Sequence, residues 1–284
     1  MRLSQPLMQT DNRHTIDING TGVYYESMGT GQPLVLIHAG IGDSRMWDDQ
    51  FAAFARTYQV IRYDVRGYGK TPRPSSPFST VDDLYKLLLA LKLNPVYLLG
   101  LSMGGGIAID FTLTHPDMVA ALIAVAPALS GYNPPDTYRE VWEEMELAYN
   151  AGDFERVVEM ETRVWVDGPN RRPDQVDPHV RARMKMMQTD LIVNHTEQGE
   201  PLGIEPPAVG RLSEIKVPTL LIAGDGDVPY MLDIVNDIEV GISGSKKVIM
   251  AGPAHVPHME KPQEFNQIVF DFLKTVESPT AKSA

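Results

Sequence analysis

Short apolar runs and amphipathic segments alternate along most of this chain. Continuous apolar runs that end in polar or glycine-containing turns predict β-strands buried within a sheet. These runs are PLVLIHA (33–39), YQVIRYDV (58–65), VYLL (96–99), VAALIAVA (119–126), TLLIA (219–223) and KKVIMA (246–251). The segments between most of them have helical periodicity, and Ser44 and Thr80 are the predicted N-caps of two helices. The alternation predicts an α/β fold, with a mainly parallel central sheet and helices on both of its faces.

Two stretches depart from this alternation. Near the N-terminus, residues 14–20 and 23–29 alternate between polar and apolar positions around a glycine-containing turn, which predicts an antiparallel hairpin. Between about 130 and 210 there is no strand pattern, and apolar residues recur at helical spacing. We therefore expect a core domain built from residues 1–129 and 211–284, with an inserted helical cap at 130–210.

The composition argues against several classes of function. The 284 residues carry a net charge of −12, which disfavours binding to nucleic-acid phosphates. The chain has no cysteine, so disulfides and thiolate chemistry are excluded. The first residues lack an apolar secretion signal, and no run approaches the roughly 20 apolar residues of a membrane span. We expect a cytoplasmic monomer or homodimer with no nucleic-acid or membrane partner.

The first candidate for chemistry is the sequence GLSMG at 100–104, which follows a predicted strand and precedes a predicted helix. The pattern G-x-S-x-G is typical of a sharp turn that exposes a serine hydroxyl above the end of a strand. The helix N-terminus that follows Ser102 would direct free N–H groups toward negative charge. The alternative is a glycine-rich turn in which Ser102 only caps the helix.

A reactive serine needs a base and a group that orients the base, and both are available after later strands. GDGD at 224–227 offers Asp225 and Asp227, and GPAH at 252–255 offers His255. The ends of parallel strands meet at one edge of a sheet, so these turns should lie together. His255 and His258 have no third ligand at suitable spacing, so we expect no metal and no cofactor.

These motifs, in this order, resemble the α/β-hydrolase family. The likeness includes the loop after His38, the turn DVRGYG at 64–69, the serine motif, GDGD, and GPAHVPHMEKP at 252–262. The resemblance implies that Ser102 is the nucleophile, His255 the general base and Asp227 the orienting carboxylate. It also implies an oxyanion hole formed by the backbone N–H groups of Met103 and Gly40. The chain departs from the family pattern in one place, since Ala39 stands where a glycine is common after the histidine.

The remaining polar residues near these turns have structural interpretations. His38 is expected to be structural, and Asp64 and Arg66 are expected to form a pair that stabilises their turn. Six residues are candidates for a substrate pocket under the cap, and one or two of those in the cap are expected to touch the substrate: Trp142, Met145, Trp165, Met184, Met187 and His258. Most of these recur at helical spacing and could instead pack the cap against the core.

The predicted function is hydrolysis of a small-molecule carboxylic ester or lactone with an apolar acyl part, through an acyl-enzyme on Ser102. Hydrolysis of a lactone or a C–C bond, and cofactor-free perhydrolysis, use the same three catalytic groups and stay open. In this family, dehalogenases and epoxide hydrolases attack with a carboxylate, so a serine at the turn argues against them. From a different class, a ligand receptor that keeps the triad is also open.

Overall fold

The computed structural model describes residues 13–194 and 199–277, and its described strands form one eight-stranded sheet with the order β1-β2-β4-β3-β5-β6-β7-β8. The strands are β1 (Arg13–Ile18), β2 (Thr21–Met28), β3 (Pro33–Ile37), β4 (Gln59–Tyr63), β5 (Val96–Leu101), β6 (Val119–Val125), β7 (Thr219–Gly224) and β8 (Lys246–Met250). The strands β3 to β8 run parallel to one another, whereas β2 pairs antiparallel with both β1 and β4. The predicted α/β sheet is confirmed.

The central strands are apolar because helices cover both faces of the sheet. All residues of β5 and β7 are buried, and so is β6 except for one residue. In the register of this region, Leu36 lies beside Leu99, and Leu99 lies beside Ile123. This run of aliphatic side chains across neighbouring strands forms the main core.

The N-terminal hairpin turns on two residues with positive φ, Asn19 at 53° and Gly20 at 74°. Asparagine and glycine tolerate this conformation, and a two-residue turn of this kind matches the twist of a hairpin. The predicted antiparallel hairpin is therefore present at the sheet edge.

The helices are α1 (Asp48–Phe54), α2 (Thr80–Leu91), α3 (Met103–Thr114), α4 (Arg139–Asn150), α5 (Phe154–Glu161), α6 (Pro178–Asn194), α7 (Pro229–Gly241), α8 (Pro257–Glu260) and α9 (Pro262–Glu277). A 3₁₀ turn, Ser44–Trp47, precedes α1. The predicted caps are wrong by one residue, because Asp43 caps the 3₁₀ turn through the Arg45 N–H and Ser79 caps α2. Both residues have the extended backbone that an N-cap requires.

The stretch between β6 and β7 is helical where it is described. Within 130–194 and 199–210 it contains α4, α5, α6 and a π-helical turn at Thr162–Asp167, and no β-strand beyond an isolated bridge between Phe78 and Pro201. In the two described ranges, no helix combines the length and the apolarity needed to cross a membrane.

Candidate active site

Ser102 lies at the sharp turn between β5 and α3. Its φ of 53° and ψ of −115° place a non-glycine residue in a disfavoured conformation, of the kind that clusters at functional sites. The turn is possible because the two neighbouring glycines have no side chain. A Cβ on Gly100 would overlap the Gly104 carbonyl, and a Cβ on Gly104 would overlap the Ile37 carbonyl. The geometry therefore matches the strained turn that the motif predicts.

Two backbone segments approach each other beside Ser102. Met103 is the first residue of α3, so its N–H has no acceptor within the helix. Gly40 faces it, since a Cβ on Gly40 would lie 3.7 Å from the Met103 Cβ and 3.5 Å from the Tyr68 hydroxyl. His38, as expected, serves the loop itself, because its Nε2 accepts the Val65 N–H at 2.9 Å. The Gly40 backbone and the start of α3, to which the resemblance assigns the oxyanion hole, are therefore neighbours.

His255 and Asp227 form a buried pair. The His255 Nδ1 and the Asp227 Oδ2 are 2.8 Å apart, and the two side chains are 1% and 0% exposed. The second carboxylate oxygen, Oδ1, accepts the Val228 N–H at 2.8 Å. A carboxylate only accepts hydrogen bonds, so Nδ1 carries the proton and Nε2 is left as a base. Asp227, rather than Asp225, is therefore the carboxylate that contacts the histidine.

Asp225 instead holds the two loops together. Its Oδ1 accepts the Gly252 N–H at 2.6 Å, while Gly226 donates to the Pro253 carbonyl at 2.9 Å. These bonds link the loop after β7 to the loop after β8. The position of His255 relative to Asp227 is fixed by backbone contacts as well as by their own hydrogen bond.

Ser102 and His255 line the same cavity of about 400 Å³. The other lining residues are Gly40, Ile41, Met103, Gly106, Ile107, Asp110, Ala128, Leu129, Ser130 and Trp165. The Trp165 ring lies 4.6 Å from the His255 ring, and the backbone carbonyl of Trp165 accepts the backbone N–H of His255 at 3.1 Å. The cavity is therefore a largely apolar chamber with a hydroxyl and an imidazole at one end.

Of the six expected pocket residues, Trp165 lines this cavity and the other five lie elsewhere in the described structure. Trp142 stacks on Trp165, with ring centroids 5.9 Å apart, and is 37% exposed. The remaining four side chains are buried: Met145, Met184, Met187 and His258. Met184 and Met187 pack toward Gly42, and the His258 ring lies 4.4 Å from Trp47. Helical spacing identified the buried face of each helix but not the element that this face meets.

The expected pair between Asp64 and Arg66 is not formed. Asp64 accepts the N–H groups of Ser44 and Lys70, at 2.9 and 2.8 Å. Arg66 pairs with Asp83 on α2, with nitrogen–oxygen distances of 2.6 and 2.7 Å. The two side chains therefore stabilise the sheet edge through different elements.

Asp110 and Ser130 are polar cavity residues that the sequence analysis missed, and Asp110 is the charged one. It lies on α3 within the apolar sequence GIAIDFTL and is 9% exposed. A lone acidic residue on a helix with no polar face was the available signal, because an uncompensated buried carboxylate is costly. In the described ranges, no group of three or more potential metal-binding side chains is found.

The chain matches the family described as alpha/beta hydrolase fold over residues 32–166. It is 25% identical over 254 residues to the carboxylesterase YbfK of Bacillus subtilis (strain 168), covering 84% of this chain and 79% of that protein. Among solved structures, it is similar to Est816, described as an N-acyl homoserine lactone degrading enzyme, with a TM-score of 0.72 and 25% identity over 91% of this chain and 99% of the other. It is also similar to the bromoperoxidase of Bacillus anthracis, with a TM-score of 0.74 and 26% identity over 92% and 99% of the two chains.

The sheet, the match over residues 32–166 and these similarities show that the chain has the α/β-hydrolase fold and is a hydrolase. Its relatives and structural neighbours include esterases and lactonases.

Proposed function

We propose that this protein hydrolyses small-molecule carboxylic esters or lactones with an apolar acyl part, with Ser102 as its nucleophile. The observation that carries the proposal is the buried pair of His255 and Asp227, joined at 2.8 Å, on a cavity that Ser102 also lines. A carboxylate, an imidazole and a serine arranged in this way are recognised by their roles.

In the first half-reaction, the Ser102 Oγ attacks the substrate carbonyl while Nε2 of His255 takes the hydroxyl proton. Asp227 stabilises the imidazolium that forms. The N–H groups of Met103 and Gly40 donate to the tetrahedral oxyanion, which then collapses to an acyl-enzyme. The imidazolium returns its proton to the leaving alkoxide, so that an alcohol departs.

In the second half-reaction, water attacks the acyl-enzyme and His255 again acts as the base. The carbon–oxygen bond to Ser102 breaks, the acid leaves, and the hydroxyl regains its proton. Hydrogen peroxide in place of water would release a peracid by the same steps. The similarity to a bromoperoxidase supports this perhydrolysis as the second candidate.

Residues 130–210 are proposed to act as a cap over this cavity. The support is Trp165, which belongs to this segment, contacts the His255 ring and stacks on Trp142. A tryptophan in the cavity wall favours an apolar substrate, because its ring offers a large apolar surface. We expect the substrate to contact Trp165 directly.

The test compares Ser102→Ala with the exposed control Ser213→Ala. Turnover of a short p-nitrophenyl ester and of an acyl homoserine lactone should fall by about a thousandfold or more in the first variant, since removing the nucleophile leaves only binding and oxyanion stabilisation. The control should keep the wild-type rate. Covalent labelling by a fluorophosphonate should be lost only in Ser102→Ala. Wild-type turnover in Ser102→Ala, or a single burst without further turnover in the wild type, would refute the proposal.

A further inference from the structure

One charged side chain interrupts the apolar wall of the active-site cavity. Asp110 lies among Ile107, Ala128 and Leu129 on that wall and is only 9% exposed. Burying a carboxylate among aliphatic groups is costly unless the group is hydrogen-bonded. The triad does not use Asp110, so its position needs another explanation.

The Asp110 carboxylate is held in place by a hydroxyl. Ser130 donates from Oγ to the Asp110 Oδ1 at 2.8 Å, and the same Oγ accepts the Ala208 N–H at 2.8 Å. The single hydroxyl proton of Ser130 is therefore committed to Oδ1 of Asp110. Within 13–194 and 199–277, no donor contacts the second oxygen, Oδ2, of Asp110. That oxygen is available to a ligand in the cavity.

The charge of Asp110 is not cancelled by a direct partner. Arg211 is the cation whose field lowers the pKa of Asp110, but its guanidinium is bonded to Glu214 at 2.8 Å. Burial is the stronger effect and raises the pKa of Asp110. As a carboxylate, the group can accept a hydrogen bond at Oδ2.

The position of Asp110 relative to the reacting atoms follows from the helix. Met103, Gly106, Ile107 and Asp110 all line the cavity, and their spacing of three, four and seven residues places them on one face of α3. At a rise of 1.5 Å per residue, Met103 and Asp110 are separated by about 10 Å along the helix axis. One helix face thus carries an oxyanion donor at one end and a carboxyl group at the other.

We propose that Asp110, oriented by Ser130, is a specificity-determining residue that binds a hydroxyl or ammonium group at the far end of the acyl chain, about 10 Å from the scissile carbonyl. This inference rests on the proposed function and names its substrate class, which is esters or lactones of chain-hydroxylated or amino acyl groups. A plain alkyl end would leave Oδ2 desolvated and without a partner. A terminal carboxylate would meet a like charge.

The experiment measures ratios of kcat/KM, so that losses of folded protein cancel. The substrates are p-nitrophenyl octanoate, ω-hydroxyoctanoate and ω-aminooctanoate, together with the ω-carboxylate analogue. The enzymes are the wild type, Asp110→Leu, Asp110→Asn and the exposed control Asp117→Asn. Octanoate is chosen because its extended chain is long enough to reach from Ser102 to Asp110.

The wild type and Asp117→Asn should prefer at least one donor-bearing substrate over octanoate by about tenfold or more, since a missing partner for a buried polar group costs that much. Asp110→Leu should abolish this preference or reverse it, and Asp110→Asn should weaken it. The wild type should hydrolyse the ω-carboxylate ester most slowly, and Asp110→Leu should relieve that penalty. The comparison of the ω-hydroxyoctanoate and ω-aminooctanoate esters shows whether the site prefers a neutral hydrogen-bond donor or a cation.

The two proposals can fail separately. If the wild type hydrolyses no ester and Ser102 is not labelled by a fluorophosphonate, the proposed function fails. If the wild type hydrolyses these esters but its ratio of donor-bearing to alkyl substrate equals that of Asp110→Leu, this inference is overturned while the proposed function stands. A wild-type preference that Asp117→Asn also loses would overturn it equally.

Discussion

Replacing His258 with leucine should make the free energy of unfolding fall less steeply as the pH is lowered below 7. His258 is fully buried, and its ring lies 4.4 Å from that of Trp47 and 5.8 Å from that of Phe265. Neither ring nitrogen has a hydrogen-bond partner among the described residues; the Met46 backbone is near but outside normal bonding geometry. Burial lowers the pKa of His258 to about 3, and the charge of Arg183 acts in the same direction.

The size of the effect follows from the difference between the folded and unfolded pKa values. In the unfolded chain the imidazole titrates near its ordinary value of 6.5, so it binds a proton there while the folded protein keeps it neutral. Stability from this group is present above pH 6.5 and is lost as the pH falls toward 3. One pKa unit is about 1.4 kcal/mol, so the full loss is about 5 kcal/mol and the part between pH 7 and pH 5 is about 2 kcal/mol.

The assay is urea unfolding at several values between pH 7 and pH 5. The free energy of unfolding should fall by about 2 kcal/mol less in His258→Leu than in the wild type over this range. Leucine adds no polar group to the site and removes two ring nitrogens that have no partner among the described residues, so the variant should fold. His179→Leu on α6 is the matched control, and its exposed ring should leave the wild-type slope unchanged. Parallel curves for His258→Leu and the wild type would refute the reasoning.

Three further substitutions have definite expected outcomes. Glu161→Gln should stabilise the protein by roughly 2 kcal/mol more at pH 8 than at pH 5 in urea unfolding, because burial raises the pKa of Glu161 from 4.5 to about 7. Between these two pKa values the unfolded chain ionises this carboxyl group while the folded protein keeps it protonated, so rising pH opposes folding. Arg171→Met should lower the free energy of unfolding by about 3 kcal/mol, because it leaves the half-buried Glu260 carboxylate without the guanidinium now 2.6 Å away. Gly104→Ala should cost about 3 kcal/mol in thermal unfolding and impair fluorophosphonate labelling, since its methyl group would overlap the Ile37 carbonyl.

The order of strands and helices could be predicted because each buried strand has a recognisable apolar pattern in the sequence. A strand covered by helices on both faces needs apolar side chains on both faces, so β5 and β7 appear as continuous apolar runs. The spatial order of the strands has no such local trace. The placement of β4 between β2 and β3 depends on pairing between distant segments, which a run of residues does not encode.

The N-cap residues of the helices show a different limit of prediction from the sequence. At both helix starts two neighbouring residues could serve, Asp43 or Ser44 in one case and Ser79 or Thr80 in the other. The choice depends on which of the two has an extended backbone, and the preceding loop sets that. Asp43 has φ of −141° and Ser79 has φ of −109°, so each accepts the hydrogen bond from the first turn.

Some residues of the candidate site could likewise be predicted from the sequence, and others could not. Ser102, Asp227 and His255 follow strands whose ends meet at one edge of the sheet, so sequence alone could bring them together. The pocket walls depend on how the helices between β6 and β7 pack. Met184 and Met187 belong to an apolar stripe that contacts Gly42 rather than the cavity. Asp110 could be recognised from the sequence only as an unusual acidic residue in an apolar helix. Its hydrogen bond to Ser130 depends on how distant segments pack, which the sequence does not show directly.

The contacts around His255 limit which parts of the cavity wall can vary. The backbone carbonyl of Trp165 accepts the backbone N–H of His255. The Glu260 carboxylate, which pairs with Arg171, accepts the backbone N–H of Ala254 at 2.8 Å. The segment that carries Trp165 is therefore bonded to the loop that carries the base.

A displacement of that segment would disturb the imidazole as well as the pocket, so substrate selection by this side of the wall is coupled to the chemistry. The opposite side has no such link, because α3 and residues 128–130 do not support His255 through any hydrogen bond among the described residues. The proposal for Asp110 therefore implies that changes there alter which acyl group is bound while His255 and Asp227 keep their geometry. For this reason the ratio of kcat/KM values between two substrates, rather than the rate on either one, is the quantity that reports on this wall.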